Sequence, residues 1–324
     1  MRGTRWSVLA VLLLLGIVLW GCDSNLLTDQ IAKPDAPGDE AVQPASQRPQ
    51  PEATYRPTIY LSSYNIQVFG QSKLDDQPTM EVLSHLATRF DVMAIQEIRS
   101  KEQDVMPRFV ERINRQGLNY DFIISERLGR TVIKEQYAFL YDATRIEPID
   151  QPFVVPDVED WIHREPFVCR FRVRGLPPEL AFTFVLINIH TDPDLTDEEL
   201  QAMASIYRYV KEEYPDEDDF IVLGDLNEDE HHLGPLGEIP GIMYVIGGQP
   251  TNTAGTRTYD NMLFEKRTTG EFTGLSGVFP LINEYGLTAE EAVRVSDHLP
   301  IWAEFSSSEE RTGALATRPT GVIR

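Results

Sequence analysis

Polar side chains follow short apolar runs at several points along the sequence. In the clearest case the run from Phe220 to Leu223 continues into Gly224, Asp225, Leu226 and Asn227. Residues i and i+2 of an extended chain point to the same side, so Asp225 and Asn227 can face one ligand together. Gly224 lets the backbone come close to whatever they hold. The stretch alone also fits a buried strand that enters a polar turn.

The same pattern recurs elsewhere in the chain. Other apolar runs carry, end at or begin after a polar group: Asn65, Glu97, His190, Asp260 and the pair Asp297–His298. In antiparallel neighbours the end of one strand lies beside the start of the next, so these positions can gather on one rim of a sheet. Turns alone do not readily explain so many acids and histidines at strand ends.

The chemistry that such a rim supports is metal-assisted attack on phosphorus. Oxygen ligands without thiolates suit magnesium, manganese or calcium. Histidines beside carboxylates can act as base and acid. The formal net charge of −22 argues against a protein that holds nucleic acid mainly by counterion release, which would be basic. A bound cation would offset repulsion from a phosphodiester and stabilise charge on a phosphoryl oxygen.

Apolar and amphipathic stretches alternate around these residues. The patterns predict strands over 58–69, 91–95, 120–126, 134–141, 167–173, 181–189, 220–223, 259–264 and 299–305. They predict helices over 78–90, 101–116 and 196–214, the last opened by a capping box of Thr196 and Glu199. Near-continuous apolar strands mixed with helices indicate sheets that are covered by helices.

Residues 1–22 are predicted to be a targeting segment. Arg2 and Arg5 precede an apolar stretch from Val8 to Trp20, which is short for a membrane span. The segment ends at Cys22 and resembles a bacterial lipobox, which implies cleavage before Cys22 and lipid attachment to its sulfur. The alternatives are an ordinary signal peptide and a membrane anchor. We therefore expect an exported protein, either a membrane-anchored lipoprotein in the periplasm or at the cell surface, or a secreted one.

The two segments on either side of the predicted domain lack the regular spacing of apolar residues that helices and strands show. Residues 23–57 are rich in proline, which predicts a disordered tether, and residues 307–324 are predicted to be a disordered tail. This leaves one folded domain over 58–306. The two cysteines, Cys22 and Cys169, cannot form a disulfide framework. We expect a monomer, since no protein partner is evident in the sequence.

Motifs in this domain resemble, in chain order, the signatures of the endonuclease/exonuclease/phosphatase superfamily: Ser63-Tyr64-Asn65-Ile66, Ile95-Gln96-Glu97, Gly224-Asp225-Leu226-Asn227 and Ser296-Asp297-His298. Others are similar to those of its deoxyribonuclease I branch: Ser125 to Arg130, Lys134 to Tyr137, His163 to Pro166 and Thr258 to Asp260. The resemblance covers essentially all of 58–306. It implies an α/β fold, a four-layered sandwich of two packed mixed β-sheets flanked by helices.

The resemblance also implies catalytic roles. His298 would be the general base on water, oriented by Asp260. His190 would be the general acid or a phosphate contact, and it would pair with Glu135.

Metal ligands follow from the same resemblance. Glu97 would bind the catalytic metal, magnesium or manganese, with Asn65 and Asp297 close by. Asp225 and Asn227 would hold a second metal or the scissile phosphate.

The resemblance also concerns binding of the substrate, through two arginines and one position where this sequence differs from the branch. Arg164 resembles a phosphate clamp, and Arg99 resembles the arginine that enters the DNA minor groove. A surface salt bridge is the alternative for each arginine. Ile133 stands where the branch has a minor-groove tyrosine, which removes a stacking surface.

Structural calcium is a further implication of the resemblance. Thr251 and Thr253 resemble part of one calcium loop, although Gln249 stands where its acidic ligand would be. Asp160 and Glu165 resemble part of a second calcium site.

Three functions follow from these residues. The leading hypothesis is a metal-dependent endonuclease that cuts DNA. The alternative is a phosphatase or phospholipid phosphodiesterase on the same fold, for which Ile133 leaves room. A binding module without catalysis is the third hypothesis, and the complete set of two histidines with their carboxylate partners argues against it.

Overall fold

The computed structural model describes residues 51–309. The predicted signal peptide 1–22 with Cys22, most of the predicted tether 23–57 and most of the predicted tail 307–324 lie outside the described residues. Within 51–309, no helix has both the length and the apolar character that crossing a membrane requires.

The strands and helices alternate along the chain. The strands are β1 (Thr58–Phe69), β2 (Val92–Ile98), β3 (Tyr120–Ile124), β4 (Gln136–Asp142), β5 (Ile146–Pro148), β6 (Phe153–Val154), β7 (Phe167–Val173), β8 (Thr183–His190), β9 (Phe220–Asp225), β10 (Ile242–Tyr244), β11 (Asp260–Glu265), β12 (Phe272–Val278) and β13 (Ile301–Ser306). The helices are α1 (Gln71–Asp75), α2 (Gln77–Ala87), α3 (Val105–Asn114), α4 (Thr196–Glu213), α5 (Gly234–Gly237), α6 (Leu281–Tyr285) and α7 (Ala289–Val295).

The strands form two mixed sheets. The first has the order β12-β13-β1-β2-β4-β3, and the second has the order β10-β11-β9-β8-β7-β5, with β6 paired to β7. Each sheet contains one parallel pair, β1 with β2 and β8 with β9, while the other pairs are antiparallel. The carboxyl ends of a parallel pair lie at the same edge, so each sheet brings two strand ends together.

Three apolar cores separate the layers. One core lies between the two sheets, another lies under α2 and α3 on the first sheet, and a third lies under α4 on the second sheet. Strand β8 faces two cores, since Phe184 and Leu186 belong to the inter-sheet core and Val185 and Ile187 to the core under α4. A strand covered on both faces needs a near-continuous apolar run. The predicted four-layered sandwich is confirmed.

The start of α4 differs from the prediction. The capping box of Thr196 and Glu199 is wrong, because the N-cap residue is Leu195 and it makes no side-chain cap. The carboxylate of Glu199 instead accepts hydrogen bonds from the backbone N–H groups of His163, at 2.6 Å, and Asp192, at 2.9 Å. Glu199 is buried, and it fixes the loop that carries Arg164.

Contacts with the domain continue past both predicted limits, 58 and 306. The backbone N–H of Thr54 donates to the carbonyl of Thr144 at 2.8 Å, and that of Glu309 donates to the carbonyl of Leu180 at 3.1 Å. The short segments on either side of the predicted domain therefore pack against it.

Candidate active site

The candidate site lies where the carboxyl ends of the parallel pairs meet. In the second sheet, Asp225 at the end of β9 lies in register with His190 on β8 and Asp260 on β11. From the first sheet, Asn65 donates to Asp225 at 2.9 Å and to Glu97 at 3.1 Å. The sequence predicts a rim of one sheet, and the structure corrects this, because the two packed sheets share the rim.

Gly224 has a different role from the one predicted. Its φ is +151°, and a Cβ atom there would lie 1.9 Å from the carbonyl oxygen of Ile189. The backbone that approaches Gly224 therefore belongs to the neighbouring strand β8 and not to a ligand. This close approach sets the spacing of His190 and Asp225, which follow directly on the two strands.

His298 and Asp260 form one buried pair. Nδ1 of His298 and Oδ2 of Asp260 are 2.9 Å apart, and the hydroxyl of Thr251 donates to the same carboxylate oxygen at 2.7 Å. Burial lowers the pKa of His298, but the negative charges of Asp260 and Asp225 outweigh it and raise that pKa to about 11. Asp260 therefore orients the ring and favours its charged form.

His190 and Glu135 form a second buried pair. Nδ1 of His190 and Oε2 of Glu135 are 2.9 Å apart. Burial raises the pKa of Glu135, but His190, Arg164 and Arg99 outweigh it and hold that pKa at about 2. Glu135 therefore remains a carboxylate at neutral pH and can accept a hydrogen bond from the ring.

Asp225 lies between the two histidines. Its Oδ2 atom is 3.5 Å from Nε2 of His190 and 3.5 Å from Nε2 of His298. Both imidazoles therefore present Nε2 to one centre, while their Nδ1 atoms contact the carboxylates behind them. This arrangement suits removal of a proton on one side of a reacting group and delivery of a proton on the other.

Asn227 does not extend the strand as the two-residue spacing suggests. It has a φ of +51°, its backbone N–H donates to Asp225 at 3.0 Å, and its side chain donates to the carbonyl of Thr191 at 2.9 Å. Glu97 also has a positive φ, +62°. Non-glycine residues in this region store strain that is common at functional sites.

The predicted metal ligands fit a hard cation. Oδ1 of Asn65 and Oδ1 of Asp297 are buried and have no hydrogen-bond partner among the described residues. These two oxygen atoms, one from an amide and one from a carboxylate, accept no hydrogen bond from the described residues and are free to bind an ion. Magnesium and manganese prefer oxygen ligands of this kind. Glu97 is already engaged, since its carboxylate accepts from Val68 at 2.9 Å and from Asn65.

Both predicted substrate arginines lie in ion pairs inside the site. Arg99 contacts Glu135 at 2.6 Å and Glu97 at 3.0 Å, and 27% of its side chain is exposed. Arg164 is buried, and it donates to the carbonyls of His190 at 3.0 Å and Thr191 at 2.8 Å. These contacts hold Glu97, Glu135 and the backbone of His190 in place, and they differ from the surface salt bridges considered as the alternative.

Ile133 lies in the loop before Glu135 and is 59% exposed, next to Val132 at 95%. Leu128 and Glu135 form an isolated bridge that closes this loop. The loop therefore presents two apolar side chains beside the candidate site.

The predicted calcium loops have other contacts. The hydroxyl of Thr251 donates to Asp260, and that of Thr253 donates to the carbonyl of Ser296 at 2.7 Å. Asp160 pairs with Arg130 at 2.7 Å. Within residues 51–309, the close groups of three acidic or histidine ligands include neither Asp160 nor Glu165.

Three supporting residues were missed from the sequence. The hydroxyl of Tyr137 accepts from the backbone N–H of His190 at 2.9 Å. Gln67 donates to Asp297 at 2.8 Å, and Lys73 donates to the carbonyl of Gln67 at 2.6 Å. Tyr137 stands two residues after Glu135 and Gln67 two after Asn65, so the i, i+2 spacing is the signal that could have found these two. Lys73 lies in helix α1, and no pattern in the sequence points to it.

Comparison with known proteins identifies relatives of this chain. A profile of the Endonuclease/Exonuclease/phosphatase family matches residues 62–263. Deoxyribonuclease gamma of Rattus norvegicus is 30% identical over 276 residues, which cover 79% of this chain and 87% of the relative. Deoxyribonuclease-1-like 1 of Cricetulus griseus is 30% identical over 260 residues, covering 76% of this chain and 84% of the relative.

A solved structure shares the fold. An endonuclease/exonuclease/phosphatase family protein from Bacteroides thetaiotaomicron has a TM-score of 0.52 at 15% identity, covering 78% of this chain and 99% of that chain. The sequence motifs, the two-sheet sandwich and the match over 62–263 agree. The chain belongs to the endonuclease/exonuclease/phosphatase family.

Proposed function

We propose that this protein is a metal-dependent endonuclease that hydrolyses DNA phosphodiester bonds by histidine-assisted attack of water. The observation that carries the proposal is the placement of His190 and His298, whose Nε2 atoms both lie 3.5 Å from Asp225. A phosphodiester between two imidazoles can react with water activated on one side while its leaving oxygen gains a proton on the other. The deoxyribonuclease names of the relatives support DNA as the substrate.

His298 is the proposed general base. Asp260 holds Nδ1, which leaves Nε2 to take a proton from water. The carboxylates that raise the pKa of His298 to about 11 favour its charged form. Its action as a base therefore requires that part of their negative charge be offset.

His190 is the proposed general acid or phosphate contact. Nδ1 of His190 lies 2.9 Å from Glu135, and Arg164 fixes the backbone that follows the ring position through the carbonyls of His190 and Thr191. The ring is therefore held in one orientation by contacts on its side chain and its backbone. A fixed ring reduces the entropy lost on reaching the transition state.

The charge of the site supports a divalent cation. The site holds five carboxylates and three cationic groups, which leaves a net charge of −2 with both imidazoles neutral and −1 with His298 charged. The groups counted are Glu97, Glu135, Asp225, Asp260 and Asp297 with Lys73, Arg99 and Arg164. Glu97, Asn65 and Asp297 are the proposed ligands of magnesium or manganese, and Asp225 and Asn227 those of a second ion or the scissile phosphate. A bound cation supplies positive charge that stabilises a developing phosphoryl oxyanion.

Nicking of a supercoiled plasmid tests the proposed function. We expect wild-type protein to nick the plasmid with magnesium and to stop when a chelator is added. His298→Ala should reduce the rate about 10²–10⁴-fold, while His85→Ala, on the exposed face of α2, should retain it. A folded His298→Ala variant with wild-type nicking would contradict the assignment of the base.

A phosphatase or phospholipid phosphodiesterase is the second candidate. The observation that favours it is the exposed apolar pair Val132 and Ile133 beside Glu135, which suits contact with a lipid chain. Release of phosphate from a monoester, or cleavage of a phospholipid, by protein that leaves plasmid intact would support this candidate over the nuclease.

The location of the protein is part of the proposal. Arg2, Arg5, the apolar stretch from Val8 to Trp20 and Cys22 support export, with lipid on Cys22 attaching a monomeric nuclease domain to a membrane through residues 23–57. Secretion without a lipid is the alternative. Cell fractionation of wild type and Cys22→Ser distinguishes them, because only lipid attachment predicts a shift from the membrane to the soluble fraction.

A further inference from the structure

Three acidic side chains meet at the end of the sandwich remote from the candidate active site. Asp219 precedes β9, Glu271 precedes β12, and Glu309 follows β13. One carboxylate oxygen from each lies within 4.8 Å of one from each of the others. Strand β9 separates Asp219 from Asp225 by six residues, which corresponds to about 20 Å in an extended chain. This group is therefore distinct from the site that holds the histidines.

Two members of this group are almost completely buried. Asp219 is 1% exposed and Glu271 is 2% exposed. Both carboxylate oxygens of Asp219 are buried and receive no hydrogen bond from any residue within 51–309. A buried carboxylate without a donor is costly, and proteins normally satisfy such a group with a hydrogen bond, a water or an ion. Asp219 therefore points to a ligand.

The charges that raise the pKa of Asp219 are those of neighbouring carboxylates. Burial, followed by the negative charge of Glu271, raises the pKa of Asp219 to about 9. Burial raises the pKa of Glu309 to about 7, and Glu271 and Glu217 contribute to the increase. The guanidinium of Arg170 pairs with Glu217 at 2.9 Å and with Asp216 at 3.2 Å. Its positive charge is therefore directed at these two carboxylates of the turn before β9.

A hydroxyl group adds a further oxygen. Thr269 is buried, and its hydroxyl has no hydrogen bond to the described residues although it is close enough to Asp219 to oppose the rise in its pKa. Carboxylate and hydroxyl oxygens, without sulfur or imidazole, form a donor set for a hard cation.

We propose that Asp219, Glu271 and Glu309 bind one calcium ion, with Thr269 beside it. Calcium takes oxygen ligands at 2.3–2.6 Å, so two of its ligands lie at most about 5 Å apart, which matches the spacing of the three carboxylates. Magnesium requires near-octahedral geometry at shorter distances and retains several waters. The burial of Asp219 and Glu271 favours the ion that accepts a site built mainly from protein oxygens.

The proposed ion would connect the two sheets. Asp219 belongs to the second sheet through β9, whereas Glu271 and Glu309 adjoin β12 and β13 of the first sheet. Glu309 is held in place because its carboxylate accepts from the backbone N–H of Thr183 at 2.8 Å. The ion therefore stabilises the fold and the packing of the segment after β13, and it takes no part in hydrolysis.

Counting bound calcium tests the proposal. Equilibrium dialysis of the full chain against radioactive calcium should show one ion fewer bound to Asp219→Asn and to Glu309→Gln than to wild type. Asp229→Asn, in the partly exposed group of Glu228, Asp229 and His232, is the matched control and should bind the wild-type number. An anomalous peak between Asp219 and Glu309 in a calcium-soaked crystal would give the same answer directly.

Stability distinguishes calcium from a shared proton. Calcium should raise the melting temperature of wild type above its value in chelator, and Asp219→Asn should lose part of that increase. An unchanged number of bound ions in both variants would overturn the proposal. So would an Asp219→Asn variant that is more stable than wild type by the same amount with calcium and with chelator, since a buried protonated acid alone would then explain the group. If Asp219→Asn does not fold, Glu309→Gln decides the count alone.

Discussion

The backbone of Gly224 lies so close to Ile189 that a Cβ atom on Gly224 would be 1.9 Å from the carbonyl oxygen of Ile189. The contact joins β8 and β9 one residue before His190 and Asp225. Since the clashing atom belongs to the backbone of a central strand, a side chain at this position can be accommodated only by separating the strands. The geometry of the candidate site thus depends on a residue that takes no part in chemistry.

Gly224→Ala should destabilise the protein by more than about 2 kcal/mol and abolish nicking, because overpacking and backbone strain act together. Urea denaturation measures the free energy of unfolding. Gly117→Ala is the matched control, since Gly117 also has a positive φ, +83°, but has nothing within 4 Å of the added Cβ. Equal losses of stability in the two variants would show that strain at φ, and not the contact with Ile189, causes the effect.

Glu135→Gln should change how stability depends on pH. The pKa of Glu135 is lowered from 4.5 to about 2 in the folded protein. A lowered pKa stabilises the fold above the unfolded value, and this contribution is lost as pH falls from about 4.5 towards 2. The shift corresponds to about 3 kcal/mol at neutral pH.

Denaturation of wild type and Glu135→Gln across this pH range measures the effect. Their difference in free energy of unfolding should be largest near neutral pH and should shrink below about pH 4.5. Glu126→Gln, an exposed position near the same loop, should differ little from wild type at any pH. A difference between wild type and Glu135→Gln that stays constant with pH would contradict the assigned charge interactions.

The sequence predicts the ends of strands better than the contacts between sheets. The apolar runs before Asp225 and His190 identify both strand ends, because a strand covered on two faces must be apolar along its length. The contact of Asn65 with Asp225 joins residues 160 positions apart, and the register of two packed sheets is not encoded in either strand alone. The same limit applies to Asp219 and Glu309, which read separately as ordinary charged residues near a turn and near the end of the domain.

The spacing of residues in the sequence also fails to predict local backbone conformation. The i, i+2 spacing predicts that Asp225 and Asn227 point to the same side, but a φ of +51° at Asn227 ends the extended geometry. The side chain then reaches Thr191. Positive φ at a non-glycine residue depends on tertiary contacts that hold the strain in place.

Glu97→Gln should shift the magnesium requirement of nicking. A carboxamide is a weaker ligand for a hard cation than a carboxylate, so half-maximal activity should need a higher magnesium concentration. The contacts of Glu97 with Asn65 and Val68 can persist in part through the remaining oxygen, which favours a folded variant. Magnesium titration of nicking measures the shift, with Glu102→Gln on the exposed loop as control. Superimposable titrations of wild type and Glu97→Gln would remove Glu97 from the metal ligands.

A tyrosine in place of Ile133 should affect cleavage of duplex DNA but not of a small phosphodiester. Ile133 is exposed beside the site, so a tyrosine there presents a flat ring to a nucleotide, and stacking on single strands is worth roughly 1–3 kcal/mol. We expect Ile133→Tyr to lower KM on duplex DNA, by up to about tenfold for a contribution near 1.4 kcal/mol, and to leave a small phosphodiester unaffected. Val132→Tyr controls for an aromatic residue that is merely nearby.

The contacts of Arg99 alter the expectation from the sequence, which placed this arginine in the minor groove. Its guanidinium holds Glu97 and Glu135, at 3.0 Å and 2.6 Å, so Arg99→Ala should disturb a proposed metal ligand and the partner of His190 together. The variant should therefore slow cleavage of duplex DNA and of a nitrophenyl phosphodiester alike, mainly through kcat. Steady-state kinetics on both substrates decides between the two roles. A loss confined to duplex DNA would assign Arg99 to the groove and show that the positions of Glu97 and Glu135 do not depend on it.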